Sequence, residues 1–234
     1  SKSNNGKWDA IYFYIQYRSI VLFINIKLSD LNDDHIERFW QWFVKNERMI
    51  KDCIENEHSA HRELVIDQMN EHILCLGMLT WDMGLNVDDH WFLMLSPNGN
   101  QDMLKISQKT MAEAPQHMDW LFYSSRPAKN WNRQFTVYDE LHDEQNIDAS
   151  NWHYLVFDGE EDKLALILEA SNVSHLNEEL TETAAEQFII HELGELAWML
   201  HVGSVEIIPM VEPDHEELKN HVSDLKEHLV EILG

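Results

Sequence analysis

Basic residues almost disappear from this chain after Arg133. Residues 134–234 hold 24 Asp/Glu against three Lys (Lys163, Lys219 and Lys226), a net charge of −21, while residues 1–133 hold 18 acidic and 14 basic side chains, a net of −4. A field of that sign repels nucleic acid and anionic membrane and attracts basic proteins and cationic ligands. Cysteine is equally scarce. Cys53 and Cys75 form no CxxC pair, which excludes a disulfide framework and a thiolate zinc site and points to reduced thiols in a cytoplasmic protein.

Glycine and proline number only eight and five. The chain has no GxGxxG fingerprint, no GK[ST] ending and no G-x-S-x-G elbow, so dinucleotide folds, P-loop chemistry and the hydrolase nucleophile elbow are excluded. Ser96-Pro-Asn-Gly-Asn100 joins a strand to a helix but lacks phosphate-loop spacing; it reads as a turn with a helix cap. No long apolar run is present either. Gln16, Arg18 and Asn25 interrupt Ile11–Leu28, leaving Ile20–Ile24 as its longest unbroken stretch. A membrane-crossing helix needs about 20 apolar residues, so this segment reads as one long strand or two, with a membrane anchor preceded by Lys2 and Lys7 as the alternative.

What remains is rich in core-forming residues. The chain is 44% hydrophobic, with nine Trp and nine Phe in 234 residues, enough to bury a sizeable core. Ile36, Phe39, Trp40, Phe43, Ile50, Cys53 and Ile54 recur at three- and four-residue spacing, which predicts a helix over 34–56; Leu64, Val65, Met69, His72, Ile73 and Leu76 predict a second over 60–76, the two forming an antiparallel hairpin. Strands follow at Leu79–Met83 and Trp91–Ser96, then a helix at 102–113 and a strand at Trp120–Ser124. The same order returns with strands Trp152–Phe157 and Lys163–Glu169, a helix over 181–201 and a strand at Ser204–Met210. A capped amphipathic helix over 214–232 closes the pattern.

The expected fold class is therefore α+β: N-terminal strands and a helical hairpin, two tandem ββαβ units with mainly antiparallel sheet, and a C-terminal amphipathic helix. The expected organisation is an N-terminal unit over 1–130, a linker or long loop over 131–150 and an acidic unit over 151–234, with packing as one domain left open. The polar stretch over 126–150 that includes this linker holds the local basic cluster Arg126, Lys129 and Arg133 with two tryptophans nearby, so Trp120, Arg126 and Trp131 are the candidate ligand-binding residues, lining a cleft for an anionic ligand or docking on the acidic half.

One motif suggests metal chemistry. His191-Glu192-Leu-Gly-Glu195 places His191 and Glu195 one helical turn apart with Glu192 as the base, and His201 follows at the tenth offset. The zinc-protease pattern needs a glycine at the seventh offset to turn the chain back; Trp198 stands there. On an unbroken helix His201 would lie about 15 Å along the axis from His191. The plainer reading makes Ile189, Leu193, Leu196 and Leu200 the buried stripe and His191, Glu192 and Glu195 a solvated face.

Phe39-Trp-Gln-Trp-Phe43, Leu95-Ser-Pro-Asn-Gly-Asn100, Ala114-Pro115 with Trp120, Ser125-Arg-Pro-Ala128, and later Leu193-Gly-Glu195 with Val205-Glu-Ile-Ile208 resemble a family of uncharacterised bacterial α+β proteins. The resemblance spans residues 36–210 and implies a fold but no activity. Charge and pattern together lead to a non-enzymatic acidic interaction or regulatory module, of the inhibitor or immunity type, with a basic protein partner and no cofactor. The alternatives are a metal-dependent hydrolase built on His191, Glu192 and Glu195, and a small-molecule binding module. Oligomeric state stays open, a dimer included.

Overall fold

The computed structural model describes residues 33–233 except Glu57 and Glu140; the strands expected in Ile11–Leu28 lie outside the described residues. The chain divides into two compact units between Ser125 and Arg126. Both are α+β, and they repeat one topology.

In the first unit, helices α1 (Asp33–Glu55) and α2 (Arg62–Leu76) form the expected hairpin. Arg62 reaches the Cys53 carbonyl at one end, and the Trp42 indole donates to Gln68 farther along, so the helices run antiparallel. Trp42 also lies against His72 at 4.8 Å between rings; its place is the helix interface. Strands β1 (Thr80–Leu85) and β2 (Trp91–Ser96) pair antiparallel, and β3 (Trp120–Tyr123) pairs parallel to β2 after the crossover helix α3 (Gln101–Ala112). The turn before α3 needs positive φ at Asn98 and Gly99 (51° and 74°). Asn100 then caps the helix, its side chain accepting from the Asp102 and Met103 amides. Ile36, Phe39, Phe43, Met69, Leu93, Leu95 and Trp120 are the centre of the core.

The second unit begins with a feature the sequence reading lacked. Residues expected to be a linker form the antiparallel strands β4 (Gln134–Tyr138) and β5 (Glu144–Asp148). The cause is alternation: Phe135, Val137 and Ile147 point into the core while their neighbours face out. Strands β6 (His153–Asp158) and β7 (Leu164–Glu169) follow, antiparallel, and β8 (Val202–Ile208) pairs parallel to β7. The order β6-β7-β8 thus reproduces β1-β2-β3, orientation included, with a helical crossover before the third strand in each. The sheets are separate.

That crossover is not one helix over 181–201. It is α4 (Glu178–Leu193), capped by the Asn177 side chain, and α5 (Glu195–His201), broken at Gly194. The C-terminal expectation also changes. Residues Pro213–Leu218 make a 3-10 turn, β9 (Asn220–His221) pairs with β6, and helix α6 spans only Leu225–Leu233. Long-range bonds override the local helical pattern here: Glu169 accepts from the Val211 amide and from Lys219, holding both ends of the 211–219 excursion against β7.

Phe188 is fully buried on α4 between Trp152 and Trp131, with ring separations of 5.1 and 6.0 Å. Phe188→Ala is expected to destabilise the protein by about 3–5 kcal/mol in urea unfolding. Leu141→Ser, at the 81% exposed tip of the β4–β5 hairpin, is expected to change stability by under about 0.5 kcal/mol.

Candidate functional site

Gly194 carries φ +88°, a backbone conformation that L side chains rarely adopt. It also lies under the first residues of the second unit: a Cβ there would come within 3.0 Å of the Ala128 nitrogen and 3.4 Å of the Arg126 carbonyl oxygen. Residues 126–133 therefore run as a strap over the α4–α5 break. The Glu195 amide donates to the Arg126 carbonyl at 2.8 Å, the Arg126 amide donates to the Glu195 carboxylate at 2.9 Å, and the Lys129 amide donates to the His191 carbonyl at 2.7 Å. Arg126-Pro-Ala128 and Leu193-Gly-Glu195, far apart in the chain, meet here.

Glu192 closes the strap. Arg133 donates to both its carboxylate oxygens, at 2.7 and 3.1 Å, and the Trp131 indole N–H donates to one of them at 3.1 Å. Glu192 is almost wholly buried and Arg133 mostly so, making this a charge-assisted pair of the strong kind. His191, next along, is buried with Trp131 edge-on at 4.8 Å and Phe135 at 6.2 Å. Its Nδ1 has no hydrogen-bond partner among the described residues. Burial, reinforced by the nearby charges of Lys129 and Arg126, pushes the imidazole down to a pKa of about 3.

The expected solvated face is not solvated: His191, Glu192 and Glu195 are buried, and of the expected stripe Ile189 is buried, Leu193 and Leu196 are half-buried and Leu200 is exposed. Amphipathic periodicity fails because α4 is covered by the strap as well as by the sheet. The arrangement also fits a metal poorly. Glu192 is committed to Arg133 and Trp131, Glu195 to the Arg126 amide, and among the described residues no three His, Cys, Asp or Glu side chains group as a metal site.

The three candidate ligand-binding residues separate between the units. Arg126 and Trp131 belong to the strap, where the Arg126 amide donates to the Glu195 carboxylate and the Trp131 indole to Glu192. Trp120 belongs to the first unit, buried against Phe43 at 5.0 Å and Trp91 at 5.8 Å, with its indole N–H on Glu47 at 3.0 Å. Beside it is a hollow of about 410 Å³ lined by Glu47, Arg48, Lys51, Asp52, Glu55 and Trp91. Lys51 pairs with Glu47 at 2.7 Å and lies over both indoles, 5.3 Å from Trp91 and 5.7 Å from Trp120. The Lys51 and Trp120 hydrogen bonds hold the Glu47 carboxyl below its usual range. The spacing 47, 48, 51, 52, 55 marks one face of α1; only the fold brings Trp91 beside it.

Two outcomes test the strap. Arg133→Met is expected to cost about 3–5 kcal/mol by leaving Glu192 charged and buried, and Arg133→Met with Glu192→Leu is expected to recover most of it, as read by urea unfolding. Because the unfolded chain protonates His191 below its ordinary 6.5 and the folded chain resists until about 3, its contribution to stability is constant above 6.5 and falls as the pH drops through that window. His191→Phe is expected to flatten that part of the stability–pH curve.

No family model, curated protein or solved structure matches the chain.

Proposed function

We propose that the chain is a non-enzymatic interaction or regulatory module, of the inhibitor or immunity type, whose acidic second unit binds a basic protein. One observation carries this reading. Of the 23 Asp/Glu described between Arg126 and Leu233, 19 are exposed, while Arg133 is spent on Glu192 and Lys219 on Glu169 and Glu216. The second unit therefore keeps its negative field at the surface and uses cations for internal pairing. Such a surface steers a basic partner into contact at a rate that falls with salt.

The hydrolase alternative finds less support. Its base, Glu192, has two donors on one oxygen and one on the other, and its histidine stands edge-on to an indole in the core. Among the described residues no helix is long and apolar enough to cross a membrane. A cytoplasmic setting, suited to the free thiols of Cys53 and Cys75, belongs to the same proposal.

Affinity capture at low and high salt tests it, with the β6–β7 turn variant Glu160→Lys, Glu161→Lys, Asp162→Lys beside the unaltered protein. The expected result is a basic protein retained in fixed stoichiometry at low salt, released at high salt and held less well by the variant. Retention indifferent to both salt and charge reversal, or no retention at all, overturns the reading.

A further inference from the structure

The geometry points to the hollow beside Trp91 in the first unit as a binding site for an organic ammonium group, with the chain's own Lys51 as its tethered occupant. This site is independent of the acidic surface of the second unit.

Three features converge on a cation. The indoles of Trp91 and Trp120 are 5.8 Å apart and tilted by 35°, and the Lys51 ammonium is within 6 Å of both ring centres, the range over which a ring quadrupole attracts positive charge. Glu47 supplies a full negative charge 2.7 Å from that ammonium and is itself fixed by the Trp120 N–H. Asp52 and Glu55 continue the lining. With Lys51 turned away, three carboxylates face the single guanidinium of Arg48.

The occupant is tethered but within reach of water. The side chains of Lys51 and Glu47 are 26% and 31% exposed, so an incoming cation competes with a half-buried internal pair, a competitor that Lys51→Ala removes. Lys51 can exchange the indole face for solvent while its stem stays on α1. An incoming alkylammonium would keep the contacts to Trp91 and Glu47, and a quaternary one, being less strongly hydrated than a lysine ammonium, would lose less on leaving water. The hollow of about 410 Å³ is ample for such a headgroup. A neutral group of the same shape would gain the apolar contact but nothing from the carboxylates or the ring quadrupoles.

The test is a titration of the full chain, followed by tryptophan fluorescence and by the Trp120 indole N–H resonance. Choline is the cationic probe, 3,3-dimethylbutan-1-ol its neutral isostere, and Nα-acetyl-Nε-trimethyllysine amide a second arm that distinguishes a modified side chain from a free small molecule. Choline or the lysine derivative is expected to bind and the alcohol not. Lys51→Ala is expected to bind the cation about tenfold more tightly by removing the internal competitor. Trp91→Ala is expected to abolish binding, with unchanged far-UV circular dichroism as the check on folding. A Lys51→Ala protein that binds neither cation, or that binds the alcohol as well as choline, overturns the assignment.

Discussion

The second unit depends on a close backbone approach at one residue. At Gly194 the chain leaves α4 in a left-handed conformation and starts α5 immediately, and residues 126–128 occupy the space where a side chain would stand. The Glu195 amide, freed by the helix break, is taken up by the Arg126 carbonyl of the strap, and strap amides by the Glu195 carboxylate and the His191 carbonyl. Neither segment would satisfy its polar groups without the other. Because the strap is fixed there, Arg133 reaches Glu192, and Trp131 packs against His191 and against Phe135 at the start of β4.

This junction also changes the meaning of the charge asymmetry. The basic segment at Arg126, Lys129 and Arg133 looks from composition like a positive patch awaiting an anion. In the fold Arg133 neutralises a buried carboxylate of the acidic unit. Arg133 and Lys219 are therefore committed to carboxylates of the same unit, and most of its acidic side chains stay exposed. A charge balance taken over sequence alone cannot separate these cases, because it does not know which charges are buried.

The two units show how little of a topology is written in particular residues. Strands β1-β2-β3 and β6-β7-β8 share order, pairing sense and a helical crossover, and each crossover begins at an asparagine cap, Asn100 or Asn177. Their surroundings differ. The first unit covers its sheet with the α1–α2 hairpin and an aromatic cluster; the second adds the β4–β5 hairpin, the strap and β9. Period-two and period-3.6 patterns suffice for the shared part, while the additions depend on distant contacts.

The sequence by itself determined the α+β class, the α1–α2 hairpin, the ββαβ order and the Asn100 turn, since each follows from periodicity or cap chemistry within a few residues. The β4–β5 hairpin had a readable signal in the alternation of Phe135 and Val137, obscured by its polar flanks. For the candidate sites, sequence marked His191, Glu192, Glu195, Trp120, Arg126 and Trp131 as residues of interest without their hydrogen-bond partners. Only the tertiary structure decided that Glu192 belongs to Arg133, that Trp120 and Trp91 hold Lys51, and that the helix over 181–201 breaks in two. The physical reason is the same throughout: periodicity reports which face of an element is apolar, whereas the partner of a buried charge or ring is set by backbone packing between segments remote in the chain.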